Sequence, residues 1–366
     1  MQLVDWQVAS ATATRLVPPG PRLPLDEAIA VVDQLRILAH EADGHVRGYT
    51  GLDPEDSVES PVAVVDRPGW VRSNVAGFRD LLDPVLQTLT EQRQVPLGPV
   101  VSAVGPRAAG VEVGGLLAYM ATRVLGQFEL LGPAPADGLP GGRLTLVAPN
   151  IVATERAVRV DARDFRLWVC LHEVTHRTQF AAAPWLHDHV RSLIRDYLGG
   201  VDLDPAAVVS RLRGVAGSVG DVLRGKSEAS LIEVIQTPEQ RAVLDRVTGL
   251  MSLLEGHADV VMDGVGPDVV PSVERIRATF DARRQTGGGN PVERLVRRLL
   301  GIDMKMRQYA EGARFVRAVV SRVGMTGLNH VWEGPEQLPD AAEIREPTLW
   351  LARVHGQPSA LPAVND

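Results

Sequence analysis

The segment between residues 161 and 183 constrains the fold more than any other part of the sequence. It contains the pentapeptide HEVTH, in which His172 and His176 stand four residues apart. Side chains at this spacing share one face of an α-helix. Phe165 and Val169 precede them at helical spacing, so the histidines continue an apolar stripe of the kind that faces a protein interior. The segment is therefore predicted to form a buried helix.

Polar rings on a buried stripe imply a partner, because an unsatisfied polar group is costly in an apolar interior. Two imidazoles one helical turn apart can bind the same cation, and Glu173 would then stand beside the open coordination position. From there its carboxylate can take a proton from a water molecule that the metal activates. The motif predicts zinc ligands at His172 and His176 and a general base at Glu173. The alternative is a hydrogen-bonded pair of core histidines.

A second buried helix is predicted to supply the third ligand. The run from Leu253 to Met262 is apolar apart from Glu255, His257 and Asp259, which is typical of a helix inside a protein. Glu255 and Asp259 are four residues apart and share a face. We expect Glu255 to bind the metal and Asp259 to accept the second N–H of a metal-bound histidine. The alternatives are His257 as the ligand, or a buried ion pair with an arginine.

Other residues near the motif are assigned lesser roles. Gln179 and Ala182 stand where the extended metzincin pattern has Gly and His, which excludes that class. His187 and His189 lie beyond Pro184 and are expected to form a polar helix start.

Two residues of the C-terminal helix could complete a hydrolytic site. Arg307 and Tyr309 lie in a polar stretch of that helix and are candidate stabilisers of the transition state, although surface placement is the alternative. The strand predicted at Arg143–Ala148 is either an edge strand that binds substrate or an ordinary core strand.

Composition narrows the possible partners. Among 366 residues, 45% are hydrophobic, and the net charge of −7 argues against a general nucleic-acid binder. The single cysteine, Cys170, excludes an internal disulfide and is expected to be a small buried residue.

We find neither a secretory signal nor an apolar stretch long enough for a membrane span, so a cytoplasmic location is predicted. The sequence does not indicate an oligomeric state.

Hydrophobic periodicity predicts a mainly α protein with a small β-sheet, an α+β fold. The chain is expected to form a single catalytic unit. Residues 1–135 would be a helical N-terminal part, and 141–263 a metal-binding core with a helical insert at 186–248. Residues 264–366 would be a helical C-terminal part. Beyond the motif helix, the predicted helices are Leu25–His40, Asn74–Gln92, Glu112–Leu131, Trp185–Tyr197, Ala206–Leu223, Glu239–Met262 and Pro291–Val323.

These motifs resemble the glutamate zincins, the thermolysin-like branch of metallopeptidases. That branch has a Glu ligand and, four residues later, a supporting Asp, and Glu255 and Asp259 match this spacing. The gap of 79 residues after His176 (255 − 176) is much longer than in thermolysin-like enzymes.

The whole chain also resembles a bacterial family of zinc-dependent hydrolases that is associated with deazaflavin coenzyme biosynthesis. The matching segments are residues 65–71, 126–129, 147–151 and 303–309, together with HEVTH and EGHAD. The resemblance implies a zincin-like core.

The sequence thus predicts a zinc-dependent hydrolase, a metallopeptidase that cleaves an amide bond in a peptide or a small amide substrate. Two alternatives stay open. One is a zincin-fold protein that acts as a binding partner and whose metal site is structural or vestigial. The other is a zinc hydrolase of a small molecule.

Overall fold

The computed structural model describes residues 3–53, 61–91, 99–129, 142–199, 238–285 and 302–356. Helices dominate, and three short strands form one sheet, which confirms the predicted α+β class. In the described part of the chain, no helix has the length and apolarity needed to cross a membrane. The elements are α1 (Trp6–Leu16), α2 (Leu25–Thr50), β1 (Val62–Val65), α3 (Arg67–Glu91), α4 (Pro99–Ala121), β2 (Gly126–Glu129), β3 (Arg143–Val147), α5 (Ala148–Val158), α6 (Ala162–Ala182), α7 (Trp185–Gly199), α8 (Pro238–Gly264), α9 (Val273–Gln285), α10 (Ile302–Leu328), α11 (Ala341–Arg345) and α12 (Pro347–His355), with short 3₁₀ turns at Asn329–Trp332 and Pro335–Gln337.

The sheet has the order β1-β3-β2. Strand β1 runs parallel to β3, and β2 runs antiparallel to it. The strand predicted at 143–148 is therefore confirmed as β3, and it is the central strand. Its Leu144, Leu146 and Val147 are fully buried, as expected for a core strand with neighbours on both sides. Among the described strands, the edge positions belong to β1 and β2.

Strand β2 corrects one prediction. The helix predicted at Glu112–Leu131 ends at Ala121, and Gly126–Glu129 is extended. The stripe of apolar residues through Val124 and Phe128 has helical spacing, but pairing with β3 decides the local structure. Phe128 is buried in the strand conformation, where its ring stacks on Phe180 of α6.

The ends of the other elements follow simple rules. Asp161 caps α6, since its side chain accepts a hydrogen bond from the backbone N–H of Asp164. Helix α2 continues to Thr50, ten residues beyond the predicted end, and stops at Gly51, whose φ of 66° is the left-handed conformation that favours glycine. The prediction missed α1, β1, α5, α9, α11 and α12. The predicted helix Ala206–Leu223 lies outside the described residues.

The chain folds into two compact units, and the division falls within α8, between Val260 and Val261. Unit 1 comprises residues 1–187 and 261–279. Its helices α1 and α4 approach closely because Gly110 and Gly114 have no side chain. A Cβ on either glycine would lie 2.5 or 2.7 Å from a backbone oxygen of the α1 region. The assignment of functional parts to 1–135, 141–263 and 264–366 stays a prediction.

Unit 1 also contains a buried polar junction that joins distant segments. The Arg67 guanidinium donates to Asn150 Oδ1 at 2.7 Å and to the carbonyls of Pro18 and Pro19 at 2.8 and 3.1 Å. Burial lowers the pKa of Arg67. Asn150 in turn donates to the carbonyls of Ala121 and Val124 at 2.8 and 2.6 Å. The junction holds the start of α3, the start of α5 and the end of α4 in one arrangement.

Unit 2 comprises residues 188–260 and 280–366. In its core Phe315 of α10 packs edge-on against Trp350 of α12, with ring centroids 5.8 Å apart. Arg353 pairs with the largely buried Glu343 at 2.7 Å, and this hydrogen-bonded ion pair raises the pKa of Arg353. Asp340 and Glu343 form a capping box that starts α11.

Candidate metal centre

Helix α6 carries the HEVTH motif, and its surroundings explain why this segment is helical and buried. On one side it packs against α2, where Arg177 pairs with Asp43 at 2.6 Å and Arg163 pairs with Glu41 at 2.7 Å. Strand β2 lies against another part of its surface. The helix is therefore held along its length, which fixes the direction of the side chains that it presents.

The two histidines of the motif point their Nε2 atoms toward each other. His172 Nε2 and His176 Nε2 lie 3.2 Å apart, and the two rings are nearly perpendicular, at 87°. Two nitrogen ligands that bind one tetrahedral zinc ion at 2.0–2.1 Å would be about 3.3 Å apart. The observed separation fits two ligands of a single zinc ion, and it equally fits a hydrogen bond between the two rings, the alternative given above.

The second nitrogen of each histidine has its own neighbour. His176 Nδ1 lies 3.0 Å from Gln179 Oε1, and His172 Nδ1 lies 3.3 Å from Met262 Sδ. Neither Gln179 nor Met262 was predicted to contact the motif. For Gln179 a signal existed, because a polar residue three positions after His176 shares its helix face.

Glu173 is buried and packs directly on β2. A Cβ built on Gly126 would lie 2.5 Å from Glu173 Cγ and 2.8 Å from its Oε1, so only a glycine leaves room for this carboxylate position. The backbone of Gly126 has an ordinary negative φ, so the glycine is needed for space and not for its conformation. Nothing in the sequence indicated this contact.

The third predicted ligand lies on α8. His172, His176 and Glu255 each offer one ligand atom, and these atoms all lie within 4.8 Å of one another, so the group could hold a metal ion. Met262, the neighbour of His172, follows Glu255 by seven residues on the same helix. Residues seven apart share a helix face, so Glu255 and Met262 lie on the same face of α8.

The remaining charged residues of the EGHAD segment have partners within unit 2. Asp259 accepts from Arg317 at 3.3 Å. His257 is fully buried, and its ring lies 5.4 Å from that of Trp332. On a helix the positions of Glu255 and His257 point in nearly opposite directions. Glu255, and not His257, belongs to the group that could hold a metal.

The other residues named in the sequence analysis are two histidines of α7, the single cysteine and two residues of α10. His187 begins α7 and packs on Phe180, with ring centroids 5.0 Å apart. Burial and nearby Arg246 lower the pKa of His189. Cys170 is fully buried, and burial raises the pKa of its thiol, so it is the inert small residue that was expected. Arg307 and Tyr309 lie in α10, but their side chains are outside what the structure describes.

The chain matches the family model of the zincin-like metallopeptidases over residues 4–351. The chain belongs to the zincin-like metallopeptidase family. Its overall fold also resembles a crystal structure from Chloroflexus aurantiacus, of a protein described as a candidate hydrolase with a novel fold. The two chains are 30% identical, the match covers 97% of this chain and 100% of the other, and the TM-score is 0.67. None of the curated proteins matches this chain.

Membership of this family implies a metal, typically zinc, and supports a hydrolase activity. It confirms the zincin-like resemblance that the sequence motifs suggested. It does not show the association with deazaflavin coenzyme biosynthesis.

Proposed function

We propose that this zincin-like protein is a zinc-dependent metallopeptidase that cleaves an amide bond. The observation that carries the proposal is the convergence of His172 Nε2 and His176 Nε2 at 3.2 Å, with Glu173 buried beside them on the same helix. Glu255 is proposed as the third ligand, because its carboxylate belongs with both histidines to the group that could hold a metal. Two His and one carboxylate form a common zinc ligand set, which leaves one position open for water or substrate.

Zinc, when bound, would act as a Lewis acid that polarises the substrate carbonyl and lowers the pKa of a water molecule. The protein's own residues supply the rest. Glu173 would accept the proton of the attacking water and deliver it to the leaving amine. Because Gly126 has no side chain, β2 leaves room for the Glu173 carboxylate in this position.

The sequence predicted that Asp259 orients a metal-bound histidine. In the structure Met262 and Gln179 lie at the second ring nitrogens of the two histidines, and Asp259 pairs with Arg317, so Asp259 is given no step in the proposed mechanism. Arg307 or Tyr309 is proposed to stabilise the developing negative charge on the substrate. Each role is testable by substitution at a single position once a substrate is known.

The geometry of β2 favours a peptide over a compact small molecule. The backbone N–H of Val147 donates to Leu125 O at 2.8 Å, and in an antiparallel ladder the bonding residues alternate. The backbone groups of Gly126 and Phe128 therefore point away from β3, toward the side of β2 on which no described strand pairs. An extended peptide could pair with them by strand addition, next to Glu173.

The proposal is tested with a peptide library digested by zinc-loaded protein and by its Glu173→Gln variant. Mass spectrometry of the new termini would report cleavage and its sequence preference. We expect cleavage by the wild-type protein and a loss of about 10²–10⁴-fold in the variant, with zinc content unchanged. Equal cleavage by both proteins would contradict the role of Glu173, and it would point to a contaminating peptidase.

A further inference from the structure

Gln179 occupies an unusual position for a polar residue. Its side chain is completely buried, one helical turn after His176 on α6. A buried amide is costly unless it is hydrogen-bonded. Its Oε1 lies 3.0 Å from His176 Nδ1, a normal hydrogen-bond distance. The amide is therefore fixed by packing and aimed at the nitrogen of His176 that faces away from His172.

The hydrogen bond decides which nitrogen of His176 carries the proton. A neutral imidazole has one N–H and one lone pair. An amide oxygen only accepts, so with Oε1 facing Nδ1 a neutral ring carries its proton on Nδ1 and its lone pair on Nε2. That nitrogen is the one that lies 3.2 Å from His172 Nε2.

We propose that Gln179 is a positioning residue that fixes the Nδ1–H tautomer and the ring orientation of His176, so that Nε2 is ready to bind the metal. The inference rests on the proposed zinc site, which it refines. It also explains a departure noted in the sequence: the residue that excludes the metzincin pattern supports the second histidine from within the same helix.

The two histidines are supported differently. His172 Nδ1 lies against the thioether of Met262, a weak acceptor, whereas His176 Nδ1 meets an amide oxygen. Outer partners of this kind usually change metal affinity by 10–100-fold. We therefore expect the greater share of this orienting effect to come from Gln179.

The test uses full-length Gln179→Leu, which keeps the side-chain volume nearly constant and removes the acceptor. Thr178→Val is the matched control. Thr178 is also buried on α6, but its hydroxyl donates to the Val174 carbonyl and not to a histidine. Zinc affinity is measured by competition with a chromophoric chelator. We expect a decrease of about 10–100-fold for Gln179→Leu and no change for Thr178→Val.

A second readout is independent of the metal. Histidine ring-nitrogen NMR on the zinc-free protein should show His176 as the Nδ1–H tautomer in the wild type and as a mixture in Gln179→Leu. Gln179→Glu keeps an acceptor at the same length and should bind zinc at least as tightly as the wild type. If Gln179→Leu does not fold, Gln179→Met replaces it, with the same expected direction.

Two results would overturn the inference: wild-type zinc affinity in folded Gln179→Leu or Gln179→Met, or an unchanged His176 tautomer in that variant. A wild-type protein that binds no zinc would contradict the proposed function instead. In that case the NMR experiment would still decide whether Gln179 sets the tautomer.

Discussion

Unit 1 contains two groups of interior polar side chains that are satisfied in opposite ways. In the junction around Arg67 and Asn150, N–H donors meet oxygen acceptors from distant segments of the chain. In the HEVTH group, His172 and His176 turn the same nitrogen toward each other at 3.2 Å. A donor–acceptor network is complete within the protein and holds the fold. Two imidazole nitrogens at this separation could bind one cation, which is the role proposed for them.

The largest effect is expected for His176→Ala, which removes one of the converging nitrogens. Zinc affinity should fall by roughly 10³-fold, because about a third of the binding free energy of a three-ligand site is lost. The zinc-free protein should change in stability by about 1 kcal/mol or less. Chelator competition and urea unfolding measure the two quantities separately. A large loss of stability in the zinc-free variant would show that His176 stabilises the fold, as the residues of the junction do.

The opposite result is expected for Arg67→Met, which retains the aliphatic stem and removes the guanidinium. Asn150 Oδ1 and two backbone carbonyls then lose their donor in a buried place, which should lower the free energy of unfolding by about 3 kcal/mol. Zinc content of the folded protein should not change. Arg156→Met is a control, because Arg156 forms an exposed ion pair with Glu27 and should cost less than about 1 kcal/mol. Equal losses in the two variants would contradict the structural role of the junction.

Gly126→Ala tests whether the position of the Glu173 carboxylate depends on the space that Gly126 of β2 leaves for it. The new methyl group would collide with Glu173 and displace its carboxylate, while the backbone tolerates alanine. We expect turnover to fall by about 10²-fold with zinc affinity retained, since misplacement of a catalytic group by about 1 Å costs this much. The measurement is kcat with a peptide found in the library digestion. Unchanged kcat would mean that Glu173 is not held by this contact.

The smallest effect is expected for Cys170→Ala. Cys170 is buried on α6, and its thiol lies 3.8 Å from the Leu35 carbonyl. Burial raises the pKa of the thiol, so it stays protonated at neutral pH and should react with iodoacetamide only when the protein unfolds. We expect unchanged zinc binding and turnover, and a stability loss of about 1 kcal/mol. Rapid alkylation of the folded protein would contradict this.

The sequence alone indicated which residues of the HEVTH motif lie together, whereas it gave no sign of the structural junction. His172, Glu173 and His176 follow one another on a single helix, so their common location follows from helical geometry. Arg67 and Asn150 are 83 positions apart. Their contact depends on the packing of β1 beside β3, which periodicity does not reveal.

Periodicity also fails to reveal non-local strand pairing, and this explains the errors in the predicted secondary structure. Long amphipathic helices such as α2, α6 and α8 were predicted because burial of one face repeats every turn. Strand β2 was read as the end of a helix, because its apolar residues fit helical spacing and its pairing with β3 is non-local. Gly126 therefore could not be recognised as the residue that makes room for Glu173.

The zinc content of the wild-type protein and of Glu255→Ala tests the central claim most directly. Both are purified without a metal-affinity tag and examined by elemental mass spectrometry, with Asp245→Ala, an exposed acid on α8, as the control. We predict stoichiometric zinc in the wild type and the control, and a sharp loss in Glu255→Ala. Zinc retained in Glu255→Ala would move the third ligand elsewhere. A wild-type protein without zinc, even after zinc is supplied, would contradict the metal centre itself.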